Sequence, residues 1–150
     1  MVLVIRPESP ESEESKQLIG ELEAYLDPMY PKDSQYGLSA AELARQDVAF
    51  FVAKMDQEVV GCGGVKLAGD YAEIKRMYVR LLYRGNGVGT QILQHLEDYA
   101  REHGQQLMRL ETGIYQNSAI KLYEKSGYKS IDAFPPYRPG KFNLFFEKRL

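Results

Sequence analysis

The sequence predicts an α/β fold of the sandwich type, helices packed on a sheet, in one domain over residues 1–150. Three observations lead there. Runs of β-formers and amphipathic helical stretches follow one another in the order β-α-α-β-β-β-α-β-α-β-β, so both element types are interleaved along the chain. A strand-like segment, a glycine-rich turn and a helix start succeed each other without a break between Tyr71 and Thr90. No repeat, low-complexity tract or interdomain linker interrupts the 150 residues, a length sufficient to bury one core.

Val2-Leu3-Val4-Ile5 reads as a first strand closed by Arg6-Pro7. Ser9-Pro10 has the form of an N-cap with proline at the first helical position, and Glu11, Glu13 and Glu14 suit the helix dipole. Leu18, Ile19, Leu22, Tyr25 and Leu26 recur at helical spacing and carry this helix to about Leu26. A loop over Asp27 to Gly37 precedes Ser39-Ala40-Ala41-Glu42, a capping box that opens a short second helix. Val48–Met55 and Glu58–Leu67 are strands joined tightly at Asp56-Gln57, and Gly61, Gly63 and Gly64 in the second point to bulging or close backbone approach. In the next, central strand the apolar spacing from Ile74 to Met77 is three rather than two, which predicts a β-bulge near Lys75 and Arg76. Val88 to His103 is a helix with Val88, Ile92, Leu96, Tyr99 and Ala100 on one face, ended by Gly104. Gln106–Glu111 is a strand, Gln116–Lys125 a helix stopped by Gly127, Tyr128–Ile131 a strand, Ala133–Lys141 a proline-rich loop and Phe142–Lys148 the closing strand.

Charged residues are 27% of the chain and the formal net charge is −2, without the basic excess of a nucleic-acid binder. The single cysteine, Cys62, leaves no internal disulfide framework and fits a reducing compartment. The apolar run Met1 to Ile5 is too short for a signal peptide and no stretch could span a membrane, so a cytoplasmic protein without a membrane partner is expected.

Gly85, Gly87 and Gly89 stand directly before a helix. Glycine lets the backbone come close, and the first N–H groups of a helix have no internal partner, so strand, turn and helix start together form an anion site suited to phosphate. A Walker-type loop needs Gly-Lys before Ser or Thr, and the lysine is missing at Gly89-Thr90. A dinucleotide fingerprint counted from Gly85 would need glycine where Thr90 stands and would sit nearer the chain start.

Arg84-Gly85-Asn86-Gly87-Val88-Gly89 instead fits a pattern of Arg or Gln, two residues, Gly, one residue, then Gly or Ala. With Glu73-Ile74-Lys75-Arg76-Met77-Tyr78-Val79 before it and Ala119-Ile120-Lys121-Leu122-Tyr123-Glu124-Lys125-Ser126-Gly127-Tyr128 after it, the chain resembles the GNAT superfamily of acetyl-CoA-dependent N-acetyltransferases. The specific part covers residues 72–128, and the flanking elements agree in order and type. The resemblance implies a mixed, mostly antiparallel sheet that splays after the central strand, with helices on both faces and acetyl-CoA in the gap. It implies that backbone groups of Met77, Tyr78 and Val79 hold the pantetheine arm and that the N–H groups of Arg84, Gly85, Asn86, Gly87, Val88, Gly89 and Thr90 hold the pyrophosphate. Where the family usually places an asparagine for the pantetheine arm this chain has Gln116, with Asn117 next to it.

Acetyl transfer to an amine needs a neutral amine, and with a pKa of about 10.4 roughly one alkyl amine in a thousand or fewer is neutral at pH 7. A carboxylate can take the proton. Glu73 matches the general base of some relatives; the bland alternative is a strand glutamate paired with Lys75 or Arg76, and Glu111 on the next strand is the reserve. The Met77 N–H is placed to polarise the carbonyl. Tyr123 matches the tyrosine that the family sets near the sulfur; a phenol at about 10 donates its proton to a thiolate at about 8.5 only uphill, by about 2 kcal/mol, so a hydrogen bond is expected rather than transfer. The loops Asp27–Gly37 and Ala133–Lys141 would form the acceptor pocket, with Tyr30, Tyr36, Phe134, Tyr137 and Arg138, and Arg76 as a carboxylate partner; equally, these aromatics could simply pin the loops. His95 and His103 read as structural or solvated, Cys62 lacks a histidine partner, and no metal-ligand spacing is present. The expected activity is transfer from acetyl-CoA to a primary amine, of a small molecule rather than a protein or peptide, by direct attack in a ternary complex. Its rivals are a non-catalytic acyl-CoA-binding regulatory module and, more remotely, a nucleotide-binding fold. A homodimer is open, since dimers are frequent in the superfamily.

Overall fold

Strand β2 (Ala49–Met55) shows how the sequence builds its layers. Successive strand residues face opposite sides, and here both sides are apolar: Phe51 and Ala53 enter one core cluster, Phe50 and Val52 another. A sheet with two apolar faces has to be covered on both. In the computed structural model, which describes residues 2–150 and so leaves Met1 of the N-terminal apolar run outside, the covering is complete. Helices α1 (Glu13–Leu26) and α2 (Ala40–Arg45) bury Leu18, Ile19 and Leu43 on one face; α3 (Val88–Glu102) and α4 (Asn117–Lys125) bury Val88, Ile92, Leu93, Leu96, Ala100 and Tyr123 on the other. No helix among the described residues is long and apolar enough to cross a membrane.

The remaining strands are β1 (Leu3–Pro7), β3 (Glu58–Leu67), β4 (Ala72–Val79), β5 (Leu107–Gly113), β6 (Lys129–Ile131) and β7 (Asn143–Arg149). They form a 7-stranded sheet in the order β1-β2-β3-β4-β5-β7-β6. All neighbours run antiparallel except β4 and β5, which are parallel and pair only at Ala72–Met108 and Glu73–Arg109. Beyond that point β4 keeps its pairing to β3 while β5 pairs with β7, so the sheet opens into a cleft. This is the mixed, mostly antiparallel, splayed sheet that the resemblance implies.

The bulge lies where the apolar spacing put it. Cys62 opposes Tyr78 and Gly64 opposes Lys75, so Gly63 faces both Arg76 and Met77. Arg76 takes the left-handed conformation, φ +52°, which costs a non-glycine residue on the order of 1–3 kcal/mol. The insertion switches the pleat: Ile74, Met77 and Val79 pack with the α3 face, while Arg76 and Tyr78 reach α1. Glycines in β3 let α3 settle close, for a Cβ on Gly61 would lie 2.9 Å from Ile92 Cδ1 and one on Gly63 3.0 Å from Leu96 Cδ1.

One boundary differs from the sequence reading. Helix α1 is capped by Ser12, whose Oγ accepts from the Ser15 N–H at 3.1 Å, not by Ser9. The Ser9 hydroxyl instead accepts from Glu11 N–H at 3.2 Å, closing a local turn that precedes the helix.

Candidate active site

The cleft between β4 and β5 leads to a cavity of about 450 Å³ that passes through the sheet. Ile74, Met77 and Leu110, with Ala119 and Tyr123 of α4, line it on the α3–α4 side; Glu73, Lys75, Arg76 and Glu111 line it on the α1 side. The loop after α1 roofs it with Tyr30, Lys32 and Ser34 to Leu38. From the proline-rich loop only Tyr137 reaches it: Phe134 is buried against Tyr71 and Phe145, and Arg138 is exposed.

Glu73 is only 4% exposed, but it is not a free carboxylate. Its Oε2 accepts from the Tyr137 hydroxyl and is 2.9 Å from Lys75 Nζ, which in turn donates to the Tyr137 oxygen at 2.6 Å. The partnership with Lys75 that the bland reading offered is therefore real, though buried rather than on the surface. Burial, then the Glu73 charge and hydrogen bond, push the Tyr137 phenol well above its usual range, so it stays a donor. Arg76 is likewise occupied: Nη2 lies 2.5 Å from Glu23 Oε1 and Nε donates to the Leu38 carbonyl at 3.0 Å. That pairing leaves little of the guanidinium for the carboxylate-binding role the sequence suggested.

Glu111 has a single hydrogen-bond partner among the described residues. Its Oε2 accepts from Asn143 Nδ2 at 2.9 Å, and the same amide nitrogen donates to the Ser34 carbonyl at 2.8 Å. Burial raises the Glu111 carboxyl above the usual range, against the Asn143 hydrogen bond and the Lys75 charge, which lower it. Tyr123, 6% exposed, makes no hydrogen bond among the described residues. Every fully buried side-chain N or O of the described residues is partnered, so its hydroxyl must open onto space, and the cavity is the space it lines. Burial and the Glu111 charge raise its pKa, so it keeps its proton and is available as a hydrogen-bond donor.

The backbone N–H groups from Gly85 through Thr90 have no acceptor among the described residues; the next, of Gln91, bonds to the Gly87 carbonyl at 3.0 Å. Gly87 caps α3 at φ +82°, and a Cβ on Gly89 would stand 3.0 Å from Leu122 Cδ2. Unpaired donors at a helix start, on a turn whose Gly85 and Gly87 both take positive φ, fit a pyrophosphate. Arg84 is outside this set, because its N–H bonds to the Leu81 carbonyl at 3.3 Å and its Nε caps the Val79 carbonyl at 2.8 Å. The Arg80 N–H donates to β3 at Val60, so alternation turns the Val79 groups into the cleft, where that carbonyl is already taken. Met77 lines the cavity, and the Tyr78 hydroxyl donates to Glu21 at 3.2 Å.

Gln116 lines the cavity and Asn117 is exposed at the start of α4, but the Gln116 Oε1 accepts from the Tyr30 hydroxyl at 2.8 Å. Tyr30 is buried and also accepts from the Tyr115 N–H at 2.9 Å, so it straps the roof loop to β5 and α4. Tyr36 meets Tyr137 edge to face at 5.0 Å between centroids, joining the two loops over the cavity. His95 packs on Phe51 and His103 stacks on Tyr99, while burial pushes the Cys62 thiol up to about 12 and makes it inert. The sequence reading gave Lys75 no part in the site, although strand period two puts it beside Glu73. It passed over Asn143, for which no local pattern signals a contact with Glu111.

Comparison with known proteins adds a second line of support. The profile of the Acetyltransferase (GNAT) family matches residues 12–128. An IAA acetyltransferase of Azospirillum brasilense is 41% identical over 150 residues, covering 99% of this chain and 98% of that protein. A Klebsiella pneumoniae crystal structure assigned as an acyl-CoA N-acyltransferase superposes with TM-score 0.85 at 34% identity, over 99% of this chain and 98% of that one. A PaiA N-acetyltransferase from Thermoplasma acidophilum, in complex with coenzyme A, shares the fold at TM-score 0.77 and 19% identity over 100% of both chains.

Proposed function

The chain belongs to the GNAT acetyltransferase family, and on that premise we propose that it moves the acetyl group of acetyl-CoA to a primary amine of a small molecule by direct attack in a ternary complex. One observation carries the reading: the seam between β4 and β5 opens on a carboxylate-bearing cavity, and the unpaired N–H groups of Gly85–Thr90 follow the same β4 at the start of α3. The name of the Azospirillum relative supports a small-molecule acceptor, as does a cavity of about 450 Å³ bordered by Tyr30, Tyr36 and Tyr137. The lone buried Cys62 supports a reducing, cytoplasmic setting.

In this reading the Gly85–Thr90 N–H groups hold the pyrophosphate, and backbone groups of Met77 and Val79, with Gln116, flank the pantetheine arm. Acetyl-CoA supplies the activated acyl carbon. A cavity carboxylate, Glu73 or Glu111, takes the ammonium proton, contributing about 10²–10⁴ in rate. The Met77 N–H polarises the carbonyl. Tyr123 donates a hydrogen bond that steadies the departing thiolate. Tyr36 and Tyr137 screen the cavity from water.

Thermal unfolding with acetyl-CoA, CoA, NAD and ATP in parallel tests the donor site. At 100 times Kd a ligand stabilises the native state by about 2.7 kcal/mol. A rise with the two CoA species alone is expected; a rise with NAD or ATP instead would assign the turn to another ligand.

A further inference from the structure

We infer that Glu111, rather than Glu73, receives the acceptor's ammonium and removes the proton that frees its lone pair, while Glu73 is the strand half of a latch that holds the loop of Tyr137 over the cavity. This rests on the amine-acetylation reading above. The two carboxylates differ in what already touches them. Glu73 Oε2 is shared by the Tyr137 hydroxyl and Lys75 Nζ, so its charge is already matched by a buried ammonium and a second cation there would compete with that pair. Glu111 Oε2 takes one neutral N–H, and Oε1 has no donor among the described residues. Asn143 is 8% exposed and pinned to Ser34 of the roof, which fixes the direction of the Glu111 carboxylate.

The charges of the lining agree. Lys75 is matched by Glu73 and Arg76 by Glu23; Asp27 and Lys32, after α1, also line the cavity, and Glu111 is the strand acid without an ion-pair partner among the described residues. The groups that face it are Glu73, Lys75 and Arg76 from β4, Tyr123 from α4, Asn143 from β7, and Tyr30 and Tyr137 from the roof loops. A small monocation completes this arrangement. Burial sets the Glu111 carboxyl above the ordinary range, which makes it a stronger base than a solvated glutamate. Glu111 takes one proton from R–NH3⁺. The amine nitrogen then bonds to the acyl carbon as the C–S bond breaks, the thiolate takes the second N–H proton to give the free thiol, and Glu111 returns its proton to water. Asn143 acts as a positioning residue.

The test is the pH profile of kcat/KM for the wild type, Glu111→Gln and Glu73→Gln, by thiol release with a panel of alkyl amines, diamines and aryl-alkyl amines. Retained stabilisation by CoA shows that each variant is folded. Glu111→Gln is expected to lower kcat/KM by about 100-fold or more and to move the break of the acidic limb from the carboxyl's pKa to that of the amine, so that the rate climbs about tenfold per pH unit up to about pH 10 without the wild-type plateau. Glu73→Gln is expected to lose activity by a smaller factor and keep the wild-type break and plateau. The wild-type break retained in Glu111→Gln, or lost in Glu73→Gln, overturns the inference while leaving the acetylation reading intact. No turnover by the wild type with any amine removes the reading and the inference together.

Discussion

Glu73 and Glu111 stand on neighbouring strands, and their surroundings give them different work. The folded carboxyl of Glu111 is raised mainly by burial, so its charged form is the one the fold disfavours. The sign follows directly. Below about pH 4.3 both folded and unfolded chains hold the proton and nothing is lost. As the pH climbs, the unfolded chain ionises first, and stability falls until the folded carboxyl has also ionised. Glu111→Gln removes that loss and can keep an amide partner in Asn143. Its Tm is expected to exceed that of the wild type at pH 7–8, with the gap closing toward pH 4. An equal gap at both pH values, or a lower Tm throughout, contradicts this. At this scale the sequence could point to Glu73 and Tyr123 by their place in the motifs. It could not show that Tyr137 closes on Glu73 or that Asn143 reaches Glu111, because those contacts span 64 and 32 residues and depend on how the loops fold back.

The glycine turn and the bulge decide what β4 and α3 can do as elements. Both were legible, because each rests on a local rule. A spacing of three from Ile74 to Met77 has only a bulge as its explanation in a two-sided strand, and Gly85, Gly87 and Gly89 before an amphipathic stretch mark a helix start with bare N–H groups. The start of α1 was misplaced for a local reason too: Ser9 and Ser12 both offer a capping hydroxyl, and the tertiary fold selects the second. Gly87→Val tests the turn. A side chain at φ +82° costs about 1–2 kcal/mol, hence on the order of 2–8 °C in Tm for a chain of this size. Relief of that strain turns the neighbouring N–H groups away from the site, so the rise in Tm given by saturating CoA in the wild type is expected to shrink or vanish. A variant stabilised by CoA as much as the wild type would show that the turn does not hold the pyrophosphate.

On the scale of the whole molecule, the decisive feature is a sheet that pairs fully on either side of one seam and hardly at all across it. Element order and type were readable along nearly the whole chain, since both faces of β2 and the stripes of α1 and α3 follow strict periodicities. The seam itself had no signature in composition or periodicity, because splaying is a property of how β4 and β5 diverge after Ala72–Met108 and Glu73–Arg109. It came instead with the family resemblance. The cavity carboxylates lie at that seam, and the proposed activity depends on acetyl-CoA reaching them from the N–H groups at the start of α3. The most direct measurement is therefore thiol release from acetyl-CoA with and without the amine panel, with the amine product weighed by mass spectrometry. The account predicts release that depends on a particular small amine, with one acetyl amide formed for each thiol freed. Tight CoA binding with no amine-dependent release, or release without an acetylated amine, would contradict it.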